Sequence, residues 1–119
     1  MSDIGTYKTL YDQIRPYAEL IDKVLVAIKS NQKDSPPLEE FDQLLERMLT
    51  NKPQNASERI LKLILRSKGM YDISLLADIK DHLQDQENMQ TAISKIEQMA
   101  KVLEEEQNEA FGKIGGWMR

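Results

Sequence analysis

No glycine or proline interrupts the chain between Gly69 and Gly112. Strands need a turn every several residues, so a run of this length without either punctuating residue points to helix. Drawn as a single rod from Asp72 to Ala110, it would span more than ~50 Å at ~1.5 Å per residue, longer than a domain of this size needs for its own diameter. Its apolar residues fall in two stripes. Leu76, Ile79 and Leu83 follow a three-four spacing, whereas Met89, Ile93, Ile96, Ala100 and Leu103 follow a four-three spacing, and the two are out of phase. Between them Gln84-Asp85-Gln86-Glu87-Asn88 carries no apolar side chain. Two arrangements fit: a continuous helix whose seam shifts around it, or two helices separated near Asp85 to Asn88. In either, Met89 to Leu103 is a two-heptad seam, short for a coiled coil but adequate inside a bundle.

The chain before Gly69 repeats the helical period in three pieces. The first is expected from about Thr6 to Ser30, with Tyr7, Leu10, Tyr11, Ile14, Tyr17, Ala18, Ile21, Val24, Leu25 and Ile28 on one stripe. Pro16 lies inside it, and because the stripe keeps phase across Pro16, a kink is favoured over a break. The second runs from about Pro36 to Thr50 behind Ser35 as N-cap, burying Leu38, Phe41, Leu44, Leu45, Met48 and Leu49. The third runs from about Ala56 to Lys68. Asn55 and Glu58 stand at capping-box spacing, Ile60, Leu61, Ile64 and Leu65 face inward, and Leu63 widens the stripe. Gly69 suits a left-handed C-cap, and Asp72 the N-cap of the long segment. The fold class is therefore all-α: a helical bundle of four or five helices with a long C-terminal helix. Residues 1–110 form one domain, followed by a flexible or docking tail over 111–119.

Composition narrows the function classes. The chain has 119 residues, no cysteine and a formal charge of −4. One domain of this length builds a core without disulfides or metal. Absence of cysteine excludes thiolate zinc sites and cysteine nucleophiles, and the acidic balance disfavours non-specific binding to nucleic acid or anionic membrane. The N-terminal residues lack a signal-peptide pattern and the longest apolar run there, Val24 to Ile28, is too short to span a bilayer, so a cytoplasmic protein without membrane contact is expected.

Catalytic constellations are missing from the sequence. The one histidine, His82, lies among Asp78, Asp81 and Asp85, but no second histidine completes a metal site, and the nearest serine, Ser74, has no strand-turn-helix elbow. Glu39-Glu40 and Glu104 to Glu106 read as solvated faces, and no glycine-rich phosphate loop is present. The reading is of a non-enzyme with no cofactor, metal or small-molecule substrate.

Three features are left for binding. Arg59, Lys62, Arg66 and Lys68 form a basic stripe that either neutralises the acidic blocks at 72–87 and 104–109 or contacts an anion or acidic partner. The tail Phe111 to Arg119 is glycine-interrupted yet apolar, and Trp117 needs a place to be buried, in cis or in a partner. The Met89–Leu103 stripe is expected to exceed the surface one chain can cover. These features predict a protein-protein interaction module, an adaptor, assembly factor or regulator. It would act as a homodimer through its C-terminal helix, with Met89, Ile93, Ile96, Leu103, Phe111 and Trp117 as contacts.

The order over 57–101, helix, Gly69 turn, helix, polar joint, helix, is similar in spacing to the three-helix core of winged-helix regulators. That resemblance implies the alternative function, a DNA-binding regulator with the 89–101 helix as reader, presenting Gln90, Thr91, Ser94, Lys95, Gln98 and Lys101. No β-wing follows, and Glu97 lies on the reader helix, so nucleic acid is not the favoured partner.

Overall fold

The computed structural model describes residues 3–30, 35–83 and 89–117, with side chains described over 10–30, 35–83 and 90–110. Five helices follow in order: α1 Asp3–Lys29, α2 Pro36–Leu49, α3 Ala56–Ser67, α4 Ile73–His82 and α5 Met89–Trp117. The all-α bundle with a long C-terminal helix is thus present. Of the two arrangements open for 72–110, the chain adopts two helices, α4 ending at His82 and α5 starting at Met89. The intervening residues 84–88 lie outside the described residues.

Helices α1 and α5 form the most extensive packing in the molecule. Lys29, at the end of α1, pairs with Glu97 in the N-terminal third of α5 at 3.5 Å. Contact over so long a stretch from that starting point requires the two helices to run antiparallel. α5 has 29 residues, a length of ~44 Å, which accounts for most of the 50 Å long dimension. The long helix therefore lies along the domain and does not project from it. α1 continues through Pro16, whose missing N–H leaves one carbonyl for solvent on the exposed side.

The core line of α5 is Ala92, Ile96, Met99, Leu103 and Ala110, all buried, at alternating three- and four-residue steps with one turn skipped. Ile93 and Ala100 flank it and are half-buried. α1 contributes Ile14, Leu20, Ile21, Val24 and Ala27, and α2 contributes Phe41, Leu44, Leu45 and Met48. Leu61, Ile64 and Leu65 of α3 and Leu76 and Ile79 of α4 complete it. Leu63 does not widen the stripe of α3 as expected: it is 61% exposed, because the neighbours of α3 lie on the opposite side and their surface is filled by Leu61 and Leu65. The glycines at 112, 115 and 116 do not end α5, which runs to Trp117. Each interior glycine costs only about 1 kcal/mol relative to alanine, which a helix already anchored along α1 absorbs.

Helix ends explain the turns. At the C-terminus of α3, Gly69 takes φ +72°, its N–H reaches the Arg66 carbonyl at 3.2 Å and the Met70 N–H reaches the Leu65 carbonyl at 2.7 Å. This is the paired-bond αL cap expected at Gly69, with Met70 buried beyond it. The same motif closes α2, where Asn51 takes φ 55° and Lys52 N–H reaches the Arg47 carbonyl at 2.9 Å. Asparagine is the non-glycine residue best suited to that conformation. Asn55 and Asp72 cap α3 and α4 by accepting the N–H groups of Glu58 and Ser74, both at 3.0 Å. Ser35 occupies the N-cap of α2 with extended backbone, but its hydroxyl makes no capping bond and is buried without a partner among the described residues.

Candidate functional site

The C-terminal end of α2, the outer side of α3 and the segment entering α4 enclose an open groove of about 600 Å³. Its walls include Leu49, Asn51, Lys62, Arg66, Tyr71 and Ile73. The two αL caps lie at its borders, since Asn51 turns the chain out of α2 and Gly69 turns it toward α4. Tyr71 is fixed by donating its hydroxyl to the Met48 carbonyl at 2.6 Å. The Lys62 ammonium donates to the Asn51 side-chain oxygen and sits 5.2 Å from the centre of the Tyr71 ring, a cation–π arrangement. Asp72 is occupied in capping α4.

In an adjoining hollow that shares Met48, Asn51, Lys62 and Tyr71 with this groove, a buried carboxylate holds the α2–α3 connection. Glu58 is 4% exposed and forms a forked pair with Arg47, Nε to Oε1 at 2.8 Å and a guanidinium N to the same oxygen at 2.7 Å. Its second oxygen accepts the Gln54 N–H at 2.9 Å. The reciprocal bond of a capping box thus exists, displaced by one residue to Gln54. Tyr17 of α1 donates to the Asn55 side chain at 3.4 Å, joining the same cluster. Burial pushes the Tyr17 hydroxyl above its ordinary range, and the nearby Glu58 charge adds to the shift.

The basic stripe divides. Lys68 pairs with Glu106 at 3.5 Å, neutralising part of the acidic end of α5. Lys62 is held by Asn51 and Tyr71. Arg59 and Arg66 are exposed, and neither guanidinium has an ion-pair or hydrogen-bond partner among the described residues.

The expected partner contacts fare differently. Ile96 and Leu103 are completely buried in the chain's own core, against α1 and its neighbours, and Ile93 is half-buried. Packing within the chain covers Ile96 and Leu103, so these two side chains are not exposed to a second copy. The side chains of Met89, Phe111 and Trp117 lie outside the described residues. On the solvent side of α5, Gln90, Thr91, Ser94, Gln98 and Lys101 are exposed, while Lys95 is half-buried and pairs with Asp78 at 3.2 Å. That side also presents Glu97, Glu104, Glu105 and Glu109, which would repel a phosphate backbone. His82 is held through Nδ1 by the Asp78 carbonyl, and no group of three metal-ligating side chains occurs among the described residues. No described helix is long and apolar enough to cross a membrane.

Asn51, Tyr71 and Ile73 were not legible as site residues. The three-residue step from Ile73 to Leu76 reads in the sequence as a continuation of the inward stripe, which hides its exposure. No protein family, curated protein or solved structure matches the chain.

Proposed function

We propose that the chain is a non-catalytic protein-interaction module that docks its partner at the groove between α2, α3 and the start of α4. The observation that carries this reading is Ile73, a large apolar side chain 64% exposed on the wall of a preformed concavity. Three of the polar groups on its walls are engaged in structural bonds, Tyr71 with Met48, Lys62 with Asn51 and Asp72 with Ser74, which suits holding a shape rather than moving protons. A partner other than a second copy is favoured in this reading by the burial of Ile96 and Leu103, the centre of the stripe expected to serve a homodimer, within the chain's own core.

A photo-crosslinking residue placed at position 73 tests the reading in cells that produce the protein, with position 98 on the outer side of α5 as comparison. A discrete protein adduct from position 73 and none from 98 is the expected outcome. Adducts from 98 alone would move the docking surface to α5 and overturn it.

A further inference from the structure

We infer that the groove takes an acidic peptide segment with an apolar anchor, the anchor resting on Ile73 and Tyr71 and its carboxylates on Arg66 and Arg59. This inference rests on the docking reading above and adds the chemistry of the partner.

The argument is charge complementarity. Among the described side chains away from the groove, six of eight lysines and arginines pair with a carboxylate, Lys23 and Lys101 being the two that do not. Arg15 pairs with Glu19, Lys29 with Glu97, Arg47 with Glu58, Lys68 with Glu106, Lys80 with Asp42 and Glu46, and Lys95 with Asp78. On the groove wall, and on the α3 face and α2–α3 connection that lead away from it, the matching stops. Arg59 and Arg66 have no carboxylate partner, Lys52 between the two α2–α3 turns has none, and Lys62 is held by an amide and a ring. In a chain of net charge −4 with carboxylates in excess, an unmatched positive cluster at one end is the reverse of what composition gives by default. Arg59, Lys62 and Arg66 are spaced three and four apart, so they stand on one face of α3, and Leu63 shares that exposed side at 61%. Arginine presents a planar fork that binds a carboxylate through two parallel hydrogen bonds, and it does so with less desolvation cost than lysine. A partner with carboxylates flanking one apolar residue meets both halves of the surface.

The experiment is selection of a displayed random peptide library of about 12–16 residues on the full chain. Survivors are re-tested against Arg59→Glu/Arg66→Glu, against Ile73→Ser, and against Lys101→Glu as an unmatched cation elsewhere. Circular dichroism and thermal melts confirm that each variant is folded. Expected survivors carry two or more Asp or Glu around an apolar residue and bind more weakly as salt rises. They lose at least ~10-fold in affinity on the double arginine variant and on Ile73→Ser, and keep their affinity on Lys101→Glu. Survivors that are neutral or basic but still sensitive to Ile73→Ser would overturn the acidic partner while leaving the docking groove in place. Survivors indifferent to all groove variants, or no survivors, would overturn both. Mixed-sequence duplex DNA or phosphatidylserine vesicles bound through the same arginines would also overturn the inference, since the cluster would then serve phosphate.

Discussion

Along the α1–α5 pair, Ile14, Ile21, Val24, Ile96, Met99 and Leu103 are shut away from solvent, and the charges at the border are matched, Lys29 with Glu97 and Lys68 with Glu106. Where α2, α3 and α4 meet, Leu63 and Ile73 stand in solvent and Arg59 and Arg66 are unmatched. Both regions are built from the same residue types at the same helical spacing. What differs is whether a second helix lies across the apolar side. The first region accounts for stability, and the second is left with surface that contributes almost nothing to holding the fold. Only surface of the second kind can be given to a partner without loss to the domain.

The largest test of this division is a pair of truncations. Leu103→Ala removes a fully buried side chain and is expected to cost about 3 kcal/mol in chemical denaturation, whereas Leu63→Ala should fall within about 0.5 kcal/mol of the parent. Similar costs at the two positions would erase the distinction. Next is Glu58→Gln, which strands the Arg47 guanidinium beside a neutral amide. A loss of about 2 kcal/mol is expected, smaller than for a fully enclosed pair because Arg47 is partly open to water. If this variant melts with the parent, the α2–α3 connection is not held by that ion pair.

Gly69→Ala is expected to cost about 1 kcal/mol, read as a lowered denaturation midpoint. The cost is purely conformational, since a Cβ there meets no atom within 4 Å. Asn51→Gly, at the equivalent cap, should be close to neutral. The smallest effect concerns alkaline pH. Burial raises the Tyr17 pKa above its ordinary 10.0, and the hydrogen bond to Asp42 raises that of Lys80 above 10.5. Both values are higher in the folded chain, so the stability they contribute is complete below the ordinary values and is lost as pH rises through the folded ones. Denaturation midpoints should therefore stay level up to about pH 10 and decline above it. Tyr17→Phe should make the decline shallower.

The helices and most of their caps were readable because they depend on neighbours in sequence. Gly69, Asn55 and Asp72 act within three residues of themselves, and their roles follow from residue type. The inner seam of α5 was harder. The four-three spacing counted from Met89 selects Ile93 and Ala100, whereas the helix turns Ala92 and Met99 inward, because a small residue lets α1 approach closely and a flexible one fills what remains. The partner of that seam was invisible, since α1 lies more than sixty residues earlier and nothing local records the pairing. The same holds for the groove. The basic stripe was plain in the sequence, but which of its charges are answered by carboxylates from distant helices, as Lys68 is by Glu106, depends on the packing.

The antiparallel pairing of α1 with α5 also sets an order of events. The largest contact in the domain joins its first helix to its last, across the loop closed by everything between them. During synthesis α1 emerges early, yet Ile14, Ile21 and Val24 stay partly uncovered until α5 has left the ribosome. The packing of α2 and α3 on α1, and of α4 on α2, can form in the meantime, but the cooperative step awaits closure between the two long helices, and that distant contact makes folding slower than the helical content alone would give. Until it is made, the nascent chain is most exposed to aggregation along one side of α1.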